Sequence, residues 1–105
     1  MARVNPDTVA RGHLANSLRR MGISDKLPKW IELIAMEDPD RPVSHVAERI
    51  GISPSYAARV LKGRRAANLR VKTLDMMADH LGLPTWKLVW FVDHLQAPPP
   101  FGLGH

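Results

Sequence analysis

The chain has 105 residues, a net charge of +5 and no cysteine, and its pI is about 10.2. Disulfides and thiolate metal sites are therefore excluded, and the basic balance favours a polyanionic partner, either nucleic acid or an anionic membrane surface. The longest uninterrupted apolar run covers residues 88–92, far short of the roughly 20 residues that span a bilayer. No signal peptide is recognisable, so we expect a single cytoplasmic domain.

The positive charge is concentrated in the middle of the sequence. Residues 43–72 contain seven lysines and arginines against the single acidic residue Glu48, whereas segments 25–42 and 73–105 are each net negative. Scattered basic residues are usually a solvated surface, but this concentration in one segment favours a binding site for a polyanion.

The spacing of apolar residues is helical along the chain, and no segment shows the strict alternation of a strand. A weak first helix is predicted from Asp7 to about Arg20, with a stop at Gly22. The second begins near Ser24 or Asp25 and ends before the turn at residues 38–42. Its apolar stripe is typical of a helix that faces a core, with Leu27, Trp30, Ile31, Ile34 and Ala35.

Four short helices are predicted after this turn. Ser44 is expected to cap the first, which ends at Ile50, and Ser53 with Pro54 opens the second, which runs to about Lys62. The other two are expected over residues 71–81 and from Thr85 to about Leu95, with glycine or proline at their borders. The tail 96–105 contains three consecutive prolines and is expected to be disordered.

The helices predicted at 44–50 and 53–62 are too close in sequence for an ordinary helical hairpin. Because only Gly51 and Ile52 separate them, they must cross steeply, as in a helix-turn-helix unit. Apolar residues are expected to hold the second helix on the core. Its opposite side carries polar and basic residues that suit the major groove of DNA, where arginine can donate two hydrogen bonds to guanine: Ser55, Tyr56, Arg59 and Lys62.

The string VSHVAERIGISPSYAARVLKGRR, residues 43–65, resembles the XRE (Cro/repressor-type) helix-turn-helix family. Residues 68–74 and 77–83 resemble the fourth helix of that family, and the resemblance extends over about residues 25–92. It implies an all-α, five-helix repressor-like domain that binds operator DNA, usually as a dimer, with a recognition helix at 54–62. Residues 1–24 lie outside the resemblance and are predicted to form a partly helical N-terminal extension to the domain at 25–95.

The sequence departs from the family pattern at two places. Val43 stands where a glutamine often contacts DNA, and Pro54 has no N–H to donate at the first exposed place of the recognition helix. Base contact is therefore assigned to Ser55, Tyr56 and Arg59. Contact with phosphates positions a protein without reading sequence, and it is assigned to Ser53, Lys62, Arg64, Arg65, Arg70 and His45. The alternatives are helix capping alone for Ser53 and idle surface charge for Arg64 and Arg65.

The predicted last helix is apolar on nearly every side, unlike the surface helix of a monomer. One side is expected to pack on the core. The other is predicted to form a homodimer interface, with burial beneath the N-terminal helix as the alternative. The residues assigned to this interface are Trp86, Val89, Trp90 and Phe91.

These patterns predict a sequence-specific transcriptional regulator, cytoplasmic and nucleoid-associated, that represses transcription by binding a two-fold symmetric operator as a homodimer. The alternative is an antitoxin-type module that holds a toxin through residues 1–24 or the last helix and regulates its own promoter. The sequence contains no nucleophile elbow, glycine-rich phosphate loop or paired histidine ligands, so we expect no catalysis, cofactor or metal. A membrane partner is not expected, because the basic segment leaves no apolar face for lipid.

Overall fold

The computed structural model describes residues 16–66 and 69–98 of the chain. These residues form helices joined by turns and contain no strand, which confirms the all-α prediction for this part of the chain. Helical residues 16–21 come first. They are followed by α1 (Ile23–Met36), α2 (Val43–Ile50), α3 (Pro54–Gly63), α4 (Val71–Leu81) and α5 (Thr85–Asp93). The predicted helix start at Asp7, and the rest of residues 1–15, lie outside the described residues.

Helix α1 lies at the centre of the fold, where it contacts α2, α3 and α5, while α4 packs on α2 and α5. Its predicted apolar stripe is buried at Leu27, Trp30, Ile31 and Ile34, and Ala35 is partly buried. Burying such large side chains contributes about 1.5–3 kcal/mol each. This core gives α3 a fixed support.

The described part of the N-terminal segment packs on the same core. Leu18 is buried in the hydrophobic cluster and Met21 packs against it. Gly22 then adopts a left-handed conformation with φ of 69°, and the chain turns there into α1. Helix α1 consequently begins at Ile23, slightly earlier than the sequence indicated.

The start of α2 corrects one prediction. Ser44 was expected to cap this helix, but the cap residue is Pro42, and no side chain caps the helix. The Pro42 carbonyl accepts a hydrogen bond from the His45 N–H at 3.0 Å. Proline suits this place because its missing N–H would have no helical partner there in any case.

The segment after α5 corrects a second prediction. Residues 96–98 belong to the tail expected to be disordered, yet Ala97 packs against the hydrophobic cluster and Pro98 is buried. The Gln96 carbonyl accepts a hydrogen bond from the Trp30 indole Nε1 at 2.7 Å. The tail prediction for residues 99–105 lies outside the described residues.

An ion pair joins α1 to the end of α5. The Lys26 ammonium donates a hydrogen bond to the Asp93 carboxylate. This hydrogen bond is the main reason why the pKa of Asp93 lies below its ordinary value; burial opposes the shift, and the charges of Lys26 and His94 add to it. The pair is thus expected to stabilise the fold wherever the carboxylate is ionised.

Asp93→Asn is expected to lower the free energy of unfolding at neutral pH, with a difference from the parent protein that shrinks in acid. A carboxylate whose pKa is lower in the folded than in the unfolded state stabilises the fold fully above its unfolded-state pKa of about 4. This stabilisation is lost as the pH falls through the folded-state pKa. Urea unfolding followed by circular dichroism at several pH values measures it. Asp40→Asn, in the exposed loop before α2, is the control. A difference independent of pH would contradict the role of the ion pair.

Candidate nucleic-acid interface

Helix α3 is held on the core by one face and exposes the other. Ala57 and Val60 are buried, and the helix contacts both α1 and α2. The Ser53 Oγ accepts a hydrogen bond from the Tyr56 N–H at 3.1 Å, so the predicted capping role of Ser53 is confirmed. The exposed positions of the helix include Ser55, Ala58, Arg59 and Lys62.

The turn between α2 and α3 is packed tightly against α4. Gly51 has φ of 82°, in the left-handed region that glycine occupies without strain. A Cβ atom at this residue would lie 2.6 Å from the His80 Cβ. The Ile52 N–H donates to the Ala47 carbonyl at 3.0 Å and closes the end of α2. The absence of a side chain at Gly51 therefore sets how α2, α3 and α4 meet.

Tyr56 is placed differently from its prediction as a base-contacting residue. Its ring packs against the hydrophobic cluster, and its hydroxyl is buried without a hydrogen-bond partner. Burial raises the pKa of this hydroxyl, and the Arg59 charge acts in the opposite direction. With its polar atom enclosed, Tyr56 does not present a group to a base in this conformation, because its position on the flank of α3 lets the long side chain reach the core.

Tyr56 instead supports the neighbouring arginine. The Arg59 guanidinium carbon lies 5.9 Å from the centroid of the Tyr56 ring, at a distance where a cation is attracted to an aromatic face. Residues three apart in a helix are neighbours on its surface. Arg59 is exposed to solvent, and its contact with the Tyr56 ring limits the freedom of its side chain.

The residues predicted to contact phosphates are all exposed, as contact with a large partner requires. Arg64 ends α3 in a left-handed conformation with φ of 52°. The Arg65 Nε lies 3.6 Å from a carboxylate oxygen of Asp25, so a phosphate at Arg65 would compete with this ion pair. The remaining exposed residues of the set are His45, Ser53, Lys62 and Arg70.

The fold brings one further arginine to this region. Arg19, in the segment before α1, lines the same pocket as Arg70, which immediately precedes α4. Sequence reasoning treated residues 1–24 as a separate extension and did not include Arg19 among the candidate site residues. No sequence signal links the two, because their proximity depends on how the segment packs against the loop before α4.

The four residues assigned to a partner surface on α5 differ in their exposure. Trp86 is 67% exposed and Trp90 is 37% exposed, whereas Val89 is only 6% exposed. Val89 belongs to the core cluster, and this burial corrects its assignment to an interface. Phe91 is half-buried, and its ring centroid lies 5.4 Å from that of Trp90 in an edge-to-face arrangement.

We call Trp86, Trp90 and Phe91 the aromatic patch. The Lys87 ammonium lies 4.8 Å from the ring centroid of Trp90 and 5.8 Å from that of Trp86. His94 stacks on Trp90 with ring centroids 4.4 Å apart. The patch therefore combines apolar area with a cation and an imidazole.

The exposed face of α3 carries hydrogen-bond donors and positive charge. Within residues 16–66 and 69–98, no group of three metal-ligating side chains occurs. None of the helices in these ranges combines the length and apolarity needed to cross a membrane. No family model, curated protein or solved structure matches the chain.

Proposed function

We propose that this protein is a sequence-specific transcriptional regulator, acting as a repressor, that binds double-stranded DNA as a homodimer with α3 in the major groove. In this proposal α2 and α3 are the two helices of a helix-turn-helix unit within a five-helix, Cro/repressor-like domain. The observation that carries it is the division of α3 into a buried face, through Ala57 and Val60, and an exposed face with Ser55 and Arg59. A helix fixed in this way can place side chains against base edges.

Arg59 is the principal base-reading residue in this proposal. Its guanidinium can donate two hydrogen bonds to O6 and N7 of guanine, and a pair of this kind contributes about 1–3 kcal/mol of discrimination. Ser55 lies one helical turn earlier on the same exposed stripe and reaches a neighbouring base. Tyr56 restrains Arg59 through its ring rather than reading a base itself.

The cationic residues at the end of α3 and beyond it hold the DNA backbone. Lys62, Arg64 and Arg65 follow the reading face directly in the chain and are exposed. Arg70 lies further along at the start of α4, and His45 lies at the start of α2. Such contacts fix the register of the protein on the duplex.

Dimer formation through α5 is supported by the exposure of the aromatic patch. An exposed tryptophan such as Trp86 is well suited to an interface, because it brings a large contact area with a polar N–H. Two copies of α3 separated by about 34 Å would then enter successive major grooves on one side of the duplex. This spacing matches an operator with two-fold symmetry.

The same patch supports a second candidate function. A surface that exposes 67% of Trp86 can equally hold a different protein, as in an antitoxin that binds its toxin and regulates its own promoter. Purification of the protein in a stoichiometric complex with another chain would favour this function. The two candidates share the DNA-binding face and differ in what covers α5.

Site selection from a random duplex library, followed by fluorescence anisotropy, tests the proposed function. The selected duplex is expected to bind about 1,000-fold or more tightly than a scrambled duplex. The logarithm of affinity should fall linearly with the logarithm of the salt concentration, since bound phosphates release counterions. Sedimentation should give two chains per duplex. Equal affinity for the two duplexes at every salt concentration would overturn the proposal.

A further inference from the structure

A pocket of about 240 Å³ lies where the helical residues 16–21 meet the beginning of α1 and the segment that leads into α4. None of the described residues that line it is acidic, and two of them are arginines far apart in the sequence. The described residues of the lining are Leu18, Arg19, Ser24, Leu69, Arg70 and Val71.

Both walls of this pocket are attached to the core. On one side Leu18 is buried in the hydrophobic cluster, which fixes the turn of helix that carries Arg19. On the other side Leu69 and Val71, which flank Arg70, pack against the same cluster. Both arginines therefore stand on backbone that is packed against the core.

The two arginines at the pocket have no acidic partner in the part of the chain that the structure describes. The acidic residue nearest to Ser24 in sequence is Asp25, which pairs with Arg65 and does not line the pocket. Two guanidinium groups at one pocket repel each other unless an anion lies between them.

We propose that this pocket binds a phosphate group, held by the guanidinium groups of Arg19 and Arg70, with the Ser24 hydroxyl as a further donor. Guanidinium matches phosphate geometry, because its planar fork can donate two parallel hydrogen bonds. The volume of about 240 Å³ lies below the roughly 300–1,000 Å³ of pockets that enclose whole small molecules. A phosphate with little else attached to it is therefore the ligand that fits.

This inference rests in part on the proposed function, since DNA supplies phosphates beside the other cationic residues. A phosphate of the DNA backbone in this pocket would extend the contact surface from α3 to the segment before α1. The same chemistry also accommodates inorganic phosphate or a small phosphorylated ligand. The two sources make different demands on Arg19 and can be separated by experiment.

The first experiment titrates the full-length ¹⁵N-labelled protein with inorganic phosphate, at constant ionic strength maintained with chloride. Saturable shifts of the Ser24, Leu69 and Val71 amides are expected. Arg19→Gln and Arg70→Gln should each weaken binding about tenfold, as the loss of a charge-assisted hydrogen bond predicts. Arg20→Gln is the matched control, because Arg20 is exposed beside Arg19 but does not line the pocket. Shifts that do not saturate, or an equal loss in Arg20→Gln, would overturn the proposal.

The second experiment identifies the source of the phosphate with the selected duplex. If it is the DNA backbone, the duplex shifts the same three amides and competes with inorganic phosphate. In Arg19→Gln the slope of log affinity for the duplex against log salt concentration should then be smaller by about 0.9, the value for one phosphate contact. If it is a small ligand, phosphate binds saturably while the duplex leaves these amides unchanged. Saturable phosphate binding without preference for any duplex would keep the pocket and refute the proposed function, so the two failures are distinguishable.

Discussion

Gly51→Ala is expected to lower the free energy of unfolding by about 2–4 kcal/mol. Two causes act together at this residue. The backbone has φ of 82°, a conformation that costs a residue with a Cβ about 1–2 kcal/mol. The new Cβ would also lie 2.6 Å from the His80 Cβ. Because the His80 Cβ is bonded to the backbone of α4, rotation of the His80 side chain cannot relieve this contact.

Gly22→Ala separates these two causes. Gly22 has a similar φ of 69°, but a Cβ built there has no heavy atom within 4 Å. Its substitution should therefore cost only the conformational strain of about 1–2 kcal/mol. Urea unfolding followed by circular dichroism measures both variants. Equal losses for Gly22→Ala and Gly51→Ala would show that the contact with α4 carries no energy.

Arg59→Ala is expected to remove about 1–3 kcal/mol of the preference for the selected duplex over a scrambled one. The reason is that a base-reading arginine contributes more to the correct site than to other sequences. The fold should be unaffected, since the Arg59 side chain is exposed. Fluorescence anisotropy with the two duplexes at a single salt concentration measures the change in their affinity ratio.

Arg64→Ala is the comparison for this measurement. Arg64 is exposed at the end of α3 and is proposed to contact phosphate, so its loss should weaken binding to both duplexes by the same factor. The affinity ratio of the two duplexes would then stay constant, while the slope of log affinity against log salt concentration becomes smaller by about 0.9. If Arg59→Ala also left the ratio unchanged, α3 would not read bases through this residue.

Local patterns in the sequence predicted most of the helices. The apolar stripe of α1 could be read because Leu27, Trp30 and Ile31 recur at helical spacing, and all three are buried. Ser53 and Pro54 predicted the start of α3, since the serine caps and the proline tolerates the first turn. The cap of α2 was not predicted, because Pro42 takes the place of a polar cap residue. Serine, threonine, aspartate and asparagine are the residues preferred at the N-cap.

Side-chain direction was harder to predict than helix position. Tyr56 lies between the buried and exposed faces of α3, so the helical period alone leaves open whether its ring turns inward. The core has room for that ring, and this room depends on the other helices. Val89 shows the same limit, because the sequence of α5 is apolar on several sides and only the packing decides which residues are enclosed.

Contacts between distant segments could not be predicted from the sequence. Arg19 and Arg70 are 51 positions apart, and they share a pocket because Leu18 on one side and Leu69 and Val71 on the other pack on the core. The attachment of residues 96–98 has a similar origin. Proline-rich composition suggests an unattached tail, but the indole of Trp30 supplies a donor that a backbone carbonyl from this segment satisfies.

The bond between Trp30 and the Gln96 carbonyl also shows that the folded unit extends beyond the last helix. Helix α5 ends at Asp93, yet the central tryptophan finds its acceptor three residues later, and Pro98 is still enclosed. A chain shortened at the last helical residue would leave an enclosed indole donor without an acceptor, a loss of about 1–3 kcal/mol. A version of this protein truncated after α5 is therefore expected to be less stable than one that retains residues 96–98.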